Sequence, residues 1–282
     1  MVVQRISTAA VGIPILYLLI KKGPPWGFFA LASVCAGLAA KEACALLRGP
    51  GRSPLDGLAI AGAVATGLPF LLAGSPAWTG FLPPSASALL LPLILILVLA
   101  AILLAAVRAR DTLREVVEAS MGTVFAILFV GLPLGFLTGL RAMDDEEMGR
   151  DLLLLLLVTI WIGDTFAMVA GSWLGRHRLA PRISPGKSVE GAVAGVAGSV
   201  GASLLAHVWW FQRLEAAHAV AIGLLLGIVG ILGDLAESVL KRAAGTKDSS
   251  AILPGHGGML DRVDSLLFAG PALYYYYLAV LR

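Results

Sequence analysis

The chain is divided into apolar runs long enough to cross a bilayer, and this decides its fold class before any motif is read. A hydrocarbon core about 30 Å thick needs roughly 20 apolar residues in a helix, somewhat fewer at the short end. Nine stretches approach that length: 6–20, 26–47, 57–73, 88–107, 119–140, 152–175, 189–211, 217–236 and 265–281. Lipid offers no hydrogen-bond partners, so a spanning chain must satisfy its own backbone, and runs of this length do so as helices. The expected fold is all-α: a polytopic integral membrane protein of about nine transmembrane helices. Only 14% of the residues are charged, where a soluble domain carries about 25%.

The breaks between runs carry turn chemistry, as in "KKGPP", "RGPGRSP", "GSPAW" and "FLPPS". The 33 glycines fit close helix–helix approach in lipid. The leucine run Leu152–Leu157 is expected to face lipid, and Tyr274–Tyr277 to form an interfacial aromatic belt. Cys35 and Cys44 are nine residues apart. On a helix that places them on opposite faces about 13 Å apart, so they are packing residues rather than a disulfide. The segment after "MVVQR" lacks a small-residue cleavage site and is read as a retained first span.

Orientation follows from the loops. One side holds fourteen Lys and Arg and the other six, leaving aside Lys41 within a span. The positive-inside rule then puts the N-terminus in the cytosol. The small net charge of +3 is not gathered into a polar domain, so nucleic acid is excluded as a partner.

Polar chemistry is concentrated on the cytosolic side. In "GDLAESVLKR" the residues Asp234, Glu237, Ser238 and Lys241 are spaced i, i+3, i+4, i+7 and share one helix face. A Glu237–Lys241 ion pair accounts for two of them and leaves Asp234 unexplained. In "PGHGGMLDRVD", Gly255, Gly257 and Gly258 permit a loop of exposed N–H groups that suits phosphate oxygens. Asp261 and Asp264 follow at i, i+3 at the start of the last helix. They suit Mg²⁺, which takes one or two carboxylates plus substrate phosphates; acidic helix capping is the alternative. Asp164 lies within an apolar span, where an acid marks a functional site or a hydrogen bond to a neighbouring helix. "RISPGKSVEG" adds a Ser-Pro turn with Lys187 beside a glycine, and Glu190. Several carboxylates, several cations and glycine loops at a membrane surface fit chemistry on a polyphosphate meeting a lipid. No Ser-His-Asp set or nucleophilic cysteine is evident, which favours direct in-line attack.

The stretch Ser238, Leu240, Lys241-Arg242, Lys247-Asp248, Pro254-Gly255-His256-Gly257-Gly258, Asp261-Arg262-Val263-Asp264 resembles, without a break, the signature of the CDP-diacylglycerol synthases, also called phosphatidate cytidylyltransferases. A second family feature is matched more loosely. Asp164, Ala167, Gly171, Ser184, Pro185, Lys187, Glu190 and Gly191 agree, while Met168, Gly186 and Ser188 depart from it.

The resemblance implies cytidylyl transfer from CTP to phosphatidate, giving CDP-diacylglycerol and pyrophosphate for phospholipid biosynthesis. It implies metal ligation by Asp234, Asp261 and Asp264, and catalytic roles for Lys241, Arg242, Lys247, Asp248, His256 and Arg262. Substrate binding would fall to Asp164, Ser184, Lys187, Glu190, Ser238, Gly257 and Gly258. Mg²⁺ is the expected cofactor, with a second cation left open. CTP, phosphatidate, the bilayer and a second copy of the chain in a homodimer are the expected partners, and the cell inner membrane the expected location. Residues 1–282 then read as a single membrane domain, with 1–150 supplying scaffold, dimer and lipid contacts and 151–282 the catalytic helices and cytosolic loops.

Two further enzymes and one other class compete. A CDP-archaeol synthase-like enzyme acting on an ether lipid would share these motifs. A CDP-alcohol phosphatidyltransferase would carry an Asp-Gly-x-x-Ala-Arg motif, which is absent. A cation-coupled transporter would place Asp164 and Asp234 at midplane ion sites and show two related halves, and no such symmetry is found.

Overall fold

A computed structural model describes residues 2–49, 54–73, 84–108, 112–250, 252 and 257–282. Ser75, within one expected break, and His256 lie outside the described residues. The helices are α1 (Val2–Lys22), α2 (Pro25–Leu47), α3 (Asp56–Ala65), α4 (Leu68–Ala73), α5 (Pro84–Arg108), α6 (Leu113–Ala126), α7 (Leu132–Arg141), α8 (Glu146–Leu174), α9 (Val189–Trp209), α10 (Ala216–Ala243) and α11 (Leu260–Tyr276). A π turn over Ile127–Gly131 joins α6 to α7, and a second over Tyr277–Leu281 follows α11. Among the described residues, six helical segments are long and apolar enough to cross a membrane: Pro25–Leu47, Asp56–Ala73, Leu113–Arg141, Glu146–Leu174, Val189–Trp209 and Ala216–Ala243. Leu93, Ile96, Val193, Ile228 and Leu232 are among many large apolar side chains left exposed on the outer surface, as a lipid-embedded fold requires.

Local signals place the helix ends that matter. Asp145 caps α8, accepting from the Met148 N–H at 3.0 Å. Ser188 caps α9, accepting from the Gly191 N–H at 3.1 Å. Gly245 ends α10 at a φ of 70°, in the left-handed region that glycine enters without strain. Its N–H bonds the Arg242 carbonyl and the Thr246 N–H bonds the Lys241 carbonyl, the double closure of a Schellman motif. Helix α10 therefore stops just after Lys241-Arg242 and leaves them at its mouth.

Three expectations need correction. The run Leu152–Leu157 is buried rather than lipid-facing. Helix α8 is central, touching α1, α7, α9, α10 and α11, and a helix apolar all round belongs inside such a bundle. The four tyrosines do not form one belt, because consecutive helical positions point in different directions. Tyr274 turns inward onto Phe70 and Phe136, and Tyr276 bonds His218 at 2.9 Å, while Tyr275 stays exposed. The segment with the expected Ser-Pro turn is a two-stranded antiparallel ribbon, β1 (Arg178–Ala180) and β2 (Ser184–Ser188). The turn falls instead at Pro181, whose fixed φ suits the second turn position, and closes with Ile183 N–H to Ala180 O at 3.1 Å.

Candidate active site

The site forms where α8 and α10 end and α9 and α11 begin. Connectivity brings these ends together: the ribbon joins α8 to α9, and residues 244–259 join α10 to α11. Helices α8, α9, α10 and α11 pack in sequence, each against the next. They enclose a cavity of about 700 Å³ that Asp164, Arg178, Lys187, Asp234, Asp261 and Asp264 line from five different elements. Ala167, Met168 and Ile231 give the same cavity an apolar wall. A space with carboxylates and cations on one part and apolar side chains on another can take a ligand that is charged at one end and greasy at the other.

The helical spacing on α10 is realised as expected. Ser238 Oγ donates to Asp234 Oδ1 at 3.4 Å, and Lys241 Nζ lies 2.5 Å from Glu237. Lys241 also reaches α11, at 2.6 Å from Asp261. Lys187 on β2 meets Asp234 at 2.6 Å, which ties the ribbon to the helix face. Carboxylate oxygens of Asp234, Glu237 and Asp264 lie within 4.8 Å of one another. An all-oxygen set of three carboxylates suits a hard divalent cation. Glu237 is fully buried, and apart from the ion pair with Lys241 its two oxygens have no hydrogen-bond donor among the described residues. A buried carboxylate so lightly bonded is costly unless a cation offsets it.

Asp261 is differently placed. Its Oδ2 accepts from the Ser249 N–H at 3.0 Å, the Ser249 hydroxyl at 2.8 Å and the Gly258 N–H at 2.8 Å, while its Oδ1 faces Lys241. Burial pushes its pKa up, but the Lys241 ammonium and these donors outweigh burial and hold the carboxyl below its ordinary value. Asp261 thus organises the loop before α11, and Glu237 joins Asp234 and Asp264 as the third member of the carboxylate cluster. The i, i+3 spacing on "GDLAES" marks Glu237 as sharing a face with Asp234, so the signal for it is present in the sequence.

The remaining candidates separate into two groups. Glu190 is occupied by the ribbon: it accepts from the N–H groups of Arg176 and His177, and His177 Nδ1 lies 2.6 Å from it. Arg242 is likewise structural in part, donating to Ile183 O and Thr246 O, both at 3.0 Å. Lys247, Asp248 and Arg262 are exposed and lie off the cavity wall, as do Ser184, Gly257 and Gly258. Arg178, which belongs to no motif, and Ser188, where the second family feature is not matched, do line it.

The largest omission from the sequence reading is Glu42 of α2. Its buried carboxylate accepts from Ser249 Oγ (3.1 Å), Ser250 Oγ (2.5 Å), Met259 N–H (3.0 Å) and Leu260 N–H (2.7 Å). A single acid in an alanine-rich run has no local spacing that would expose this role.

A family model described as the Cytidylyltransferase family matches residues 3–280. The chain belongs to this family. Its matched extent includes the N-terminal helices as well as the motif-bearing half. Among similar cytidylyltransferases, a protein named phosphatidate cytidylyltransferase from Synechocystis is 45% identical over 140 residues, covering 49% of this chain and 47% of its own. The protein of that name from Haemophilus influenzae is 39% identical over 144 residues, 49% of each chain. That from Bacillus subtilis is 39% identical over 153 residues, 53% of this chain and 55% of its own. The chain spans about half the length of the curated relatives it matches.

Proposed function

We propose that this cytidylyltransferase transfers the cytidylyl group of CTP to phosphatidate, releasing pyrophosphate and forming CDP-diacylglycerol at the cytosolic membrane surface. The observation that carries the reading is the cavity that joins the two motif regions, with Lys187 and Arg178 beside Asp164, Asp234 and Asp264 and an apolar wall behind them. The names borne by its relatives give the same reaction.

In this reading a phosphatidate oxygen attacks the α-phosphorus of CTP. The new P–O bond forms as the bond from the α-phosphorus to the bridging oxygen breaks, and pyrophosphate departs with that electron pair. Lys187 and Arg178 bind phosphate oxygens and hold the two substrates in line, which is most of what such a transfer asks of a protein. The apolar wall of Ala167, Met168 and Ile231 takes the start of the acyl chains. Asp234, Glu237 and Asp264 would hold a Mg²⁺. When bound, the ion neutralises phosphate charge and assists the leaving group. A second cation, dimerisation and the inner-membrane location remain part of this proposal.

Purified protein in detergent with CTP, phosphatidate and Mg²⁺ is expected to yield CDP-diacylglycerol and pyrophosphate. Excess chelator should abolish the product and Mg²⁺ restore it. Full activity in chelator removes the metal from the reading, and no CDP-lipid from active-site-intact protein removes the reaction.

The proposed orientation has its own test. Ser249 is buried and unsuited to labelling, whereas Lys247 is exposed at the site end and Gln212 at the opposite end. With Cys35 and Cys44 replaced, Lys247→Cys should react with an impermeant thiol reagent only from the cytosolic side and Gln212→Cys only from the other. Reaction of both from one side would overturn the topology.

A further inference from the structure

We infer that Glu42 of α2 is a positioning residue for the transfer site, fixing the start of α11 and through it the carboxylates of Asp261 and Asp264. The inference rests on the proposed transferase reading for its kinetic consequences, but not for its structural ones.

The start of α11 has no cap of its own: Met259 precedes the helix and supplies no side-chain hydrogen bond. The first N–H groups of a helix have no intrahelical partner and must be satisfied elsewhere. Glu42 does this from more than 200 residues away, accepting from both Met259 and Leu260. Its two oxygens are each used twice, Oε1 by Ser250 and Met259 and Oε2 by Ser249 and Leu260. Negative charge at a helix N-terminus is also favoured by the helix dipole.

The same carboxylate is one bond away from the chemistry. The Ser249 hydroxyl contacts both Glu42 at 3.1 Å and Asp261 at 2.8 Å. Asp261 in turn holds Lys241, which holds Glu237. The packing around Glu42 leaves little slack. A Cβ on Gly258 would stand 2.0 Å from Ser249 Oγ and 2.6 Å from Glu42 Oε2, so only glycine fits beneath them. Helix α2 also packs directly on α10 and α11. An N-terminal helix with no phosphate-binding motif therefore holds the start of α11 and packs on α10, the two helices that carry the carboxylate cluster.

The chemistry of Glu42→Gln makes the inference testable. An amide keeps the shape but has one acceptor oxygen instead of two. Whichever way it is turned, its NH₂ faces one backbone N–H, of Met259 or Leu260, which loses its partner. A misplacement of about 1 Å at a reacting centre costs on the order of a hundredfold. In full-length protein in detergent, Glu42→Gln is expected to lower kcat by about tenfold to a hundredfold, while KM for CTP changes by less than about threefold. Amide hydrogen exchange should accelerate in residues 257–265 and stay at wild-type rates in α8 and α9. Glu42→Asp, which keeps the charge but shortens the reach, should fall between wild type and Gln.

A kcat within twofold of wild type, or exchange accelerated equally throughout the chain, would overturn the positioning role. If Glu42→Gln fails to fold, Ser250→Ala removes a single donor to Glu42 Oε1 and must show the same local exchange effect, or the inference fails. A wild-type protein that makes no CDP-lipid would instead sink the transferase reading, and the exchange measurement would still decide whether Glu42 holds the start of α11.

Discussion

Replacing Asp264 with Asn is expected to lower turnover by about a thousandfold or more and to leave the fold intact. Asn has nearly the shape of Asp, and the contact from the Ser265 N–H at 2.6 Å to Asp264 Oδ1 can be kept by the amide oxygen. The change removes a charge rather than volume. At Asp264 that charge belongs to a cluster whose oxygens lie within 4.8 Å of one another. A neutral amide is a poor ligand for a hard cation, and the proposed transfer would draw on such a cation for several kcal/mol. At about 1.4 kcal/mol per tenfold, a loss of 4 kcal/mol or so is about a thousandfold. Thermal stability should stay near wild type, and raised Mg²⁺ should recover part of the rate. The control is Asp56→Asn, which disturbs only an exposed ion pair with Arg48 at 2.7 Å, of a kind worth roughly 0–1 kcal/mol. Asp264→Asn protein that is folded and turns over within threefold of wild type would make Asp264 a structural acid.

The parts of this architecture that repeat along the chain were readable from it. Apolar runs mark the helices, since a buried backbone in lipid leaves no other solution, and the i, i+3, i+4, i+7 face on α10 appears in the structure as Asp234, Glu237, Ser238 and Lys241. The burial of Leu152–Leu157 and the role of Glu42 escaped because both depend on neighbours distant in sequence. Whether Leu152–Leu157 meets lipid or protein depends on where five other helices pack, and its composition is the same in either case. Glu42 gains its role from donors on residues 249–260. Glu190 matches a family position read as substrate-binding, yet its carboxylate is occupied by the backbone of Arg176 and His177. The motif kept the residue type, and only the contacts show what that carboxylate holds.

Lys241→Met is expected to destabilise the protein by about 3–5 kcal/mol and to abolish turnover, and the two effects should come apart in a double variant. Lys241 lies between Glu237 and Asp261 at 2.5 and 2.6 Å, with side-chain exposures of 13% for the lysine, 0% for Glu237 and 9% for Asp261. Screening by water is small at such burial, so this pair is unlike an exposed one. Removing one member of a buried ion pair strands the other charge, which is where a cost of about 3–5 kcal/mol arises. Asp261 keeps three hydrogen-bond donors after the change, from Ser249 and Gly258, whereas Glu237 keeps none among the described residues. Most of the penalty should therefore sit on Glu237. Adding Glu237→Gln removes the stranded charge, so Lys241→Met with Glu237→Gln should be more stable than Lys241→Met alone, with a coupling energy above about 1 kcal/mol. Turnover should stay lost, because the double variant lacks both the lysine that holds Asp261 on the cavity wall and one carboxylate of the cluster. Denaturation in mixed micelles and the CDP-lipid assay read the two quantities separately. Additive stabilities within about 0.5 kcal/mol would show that the two residues are not coupled, and recovered turnover in the double variant would remove Lys241 from the chemistry.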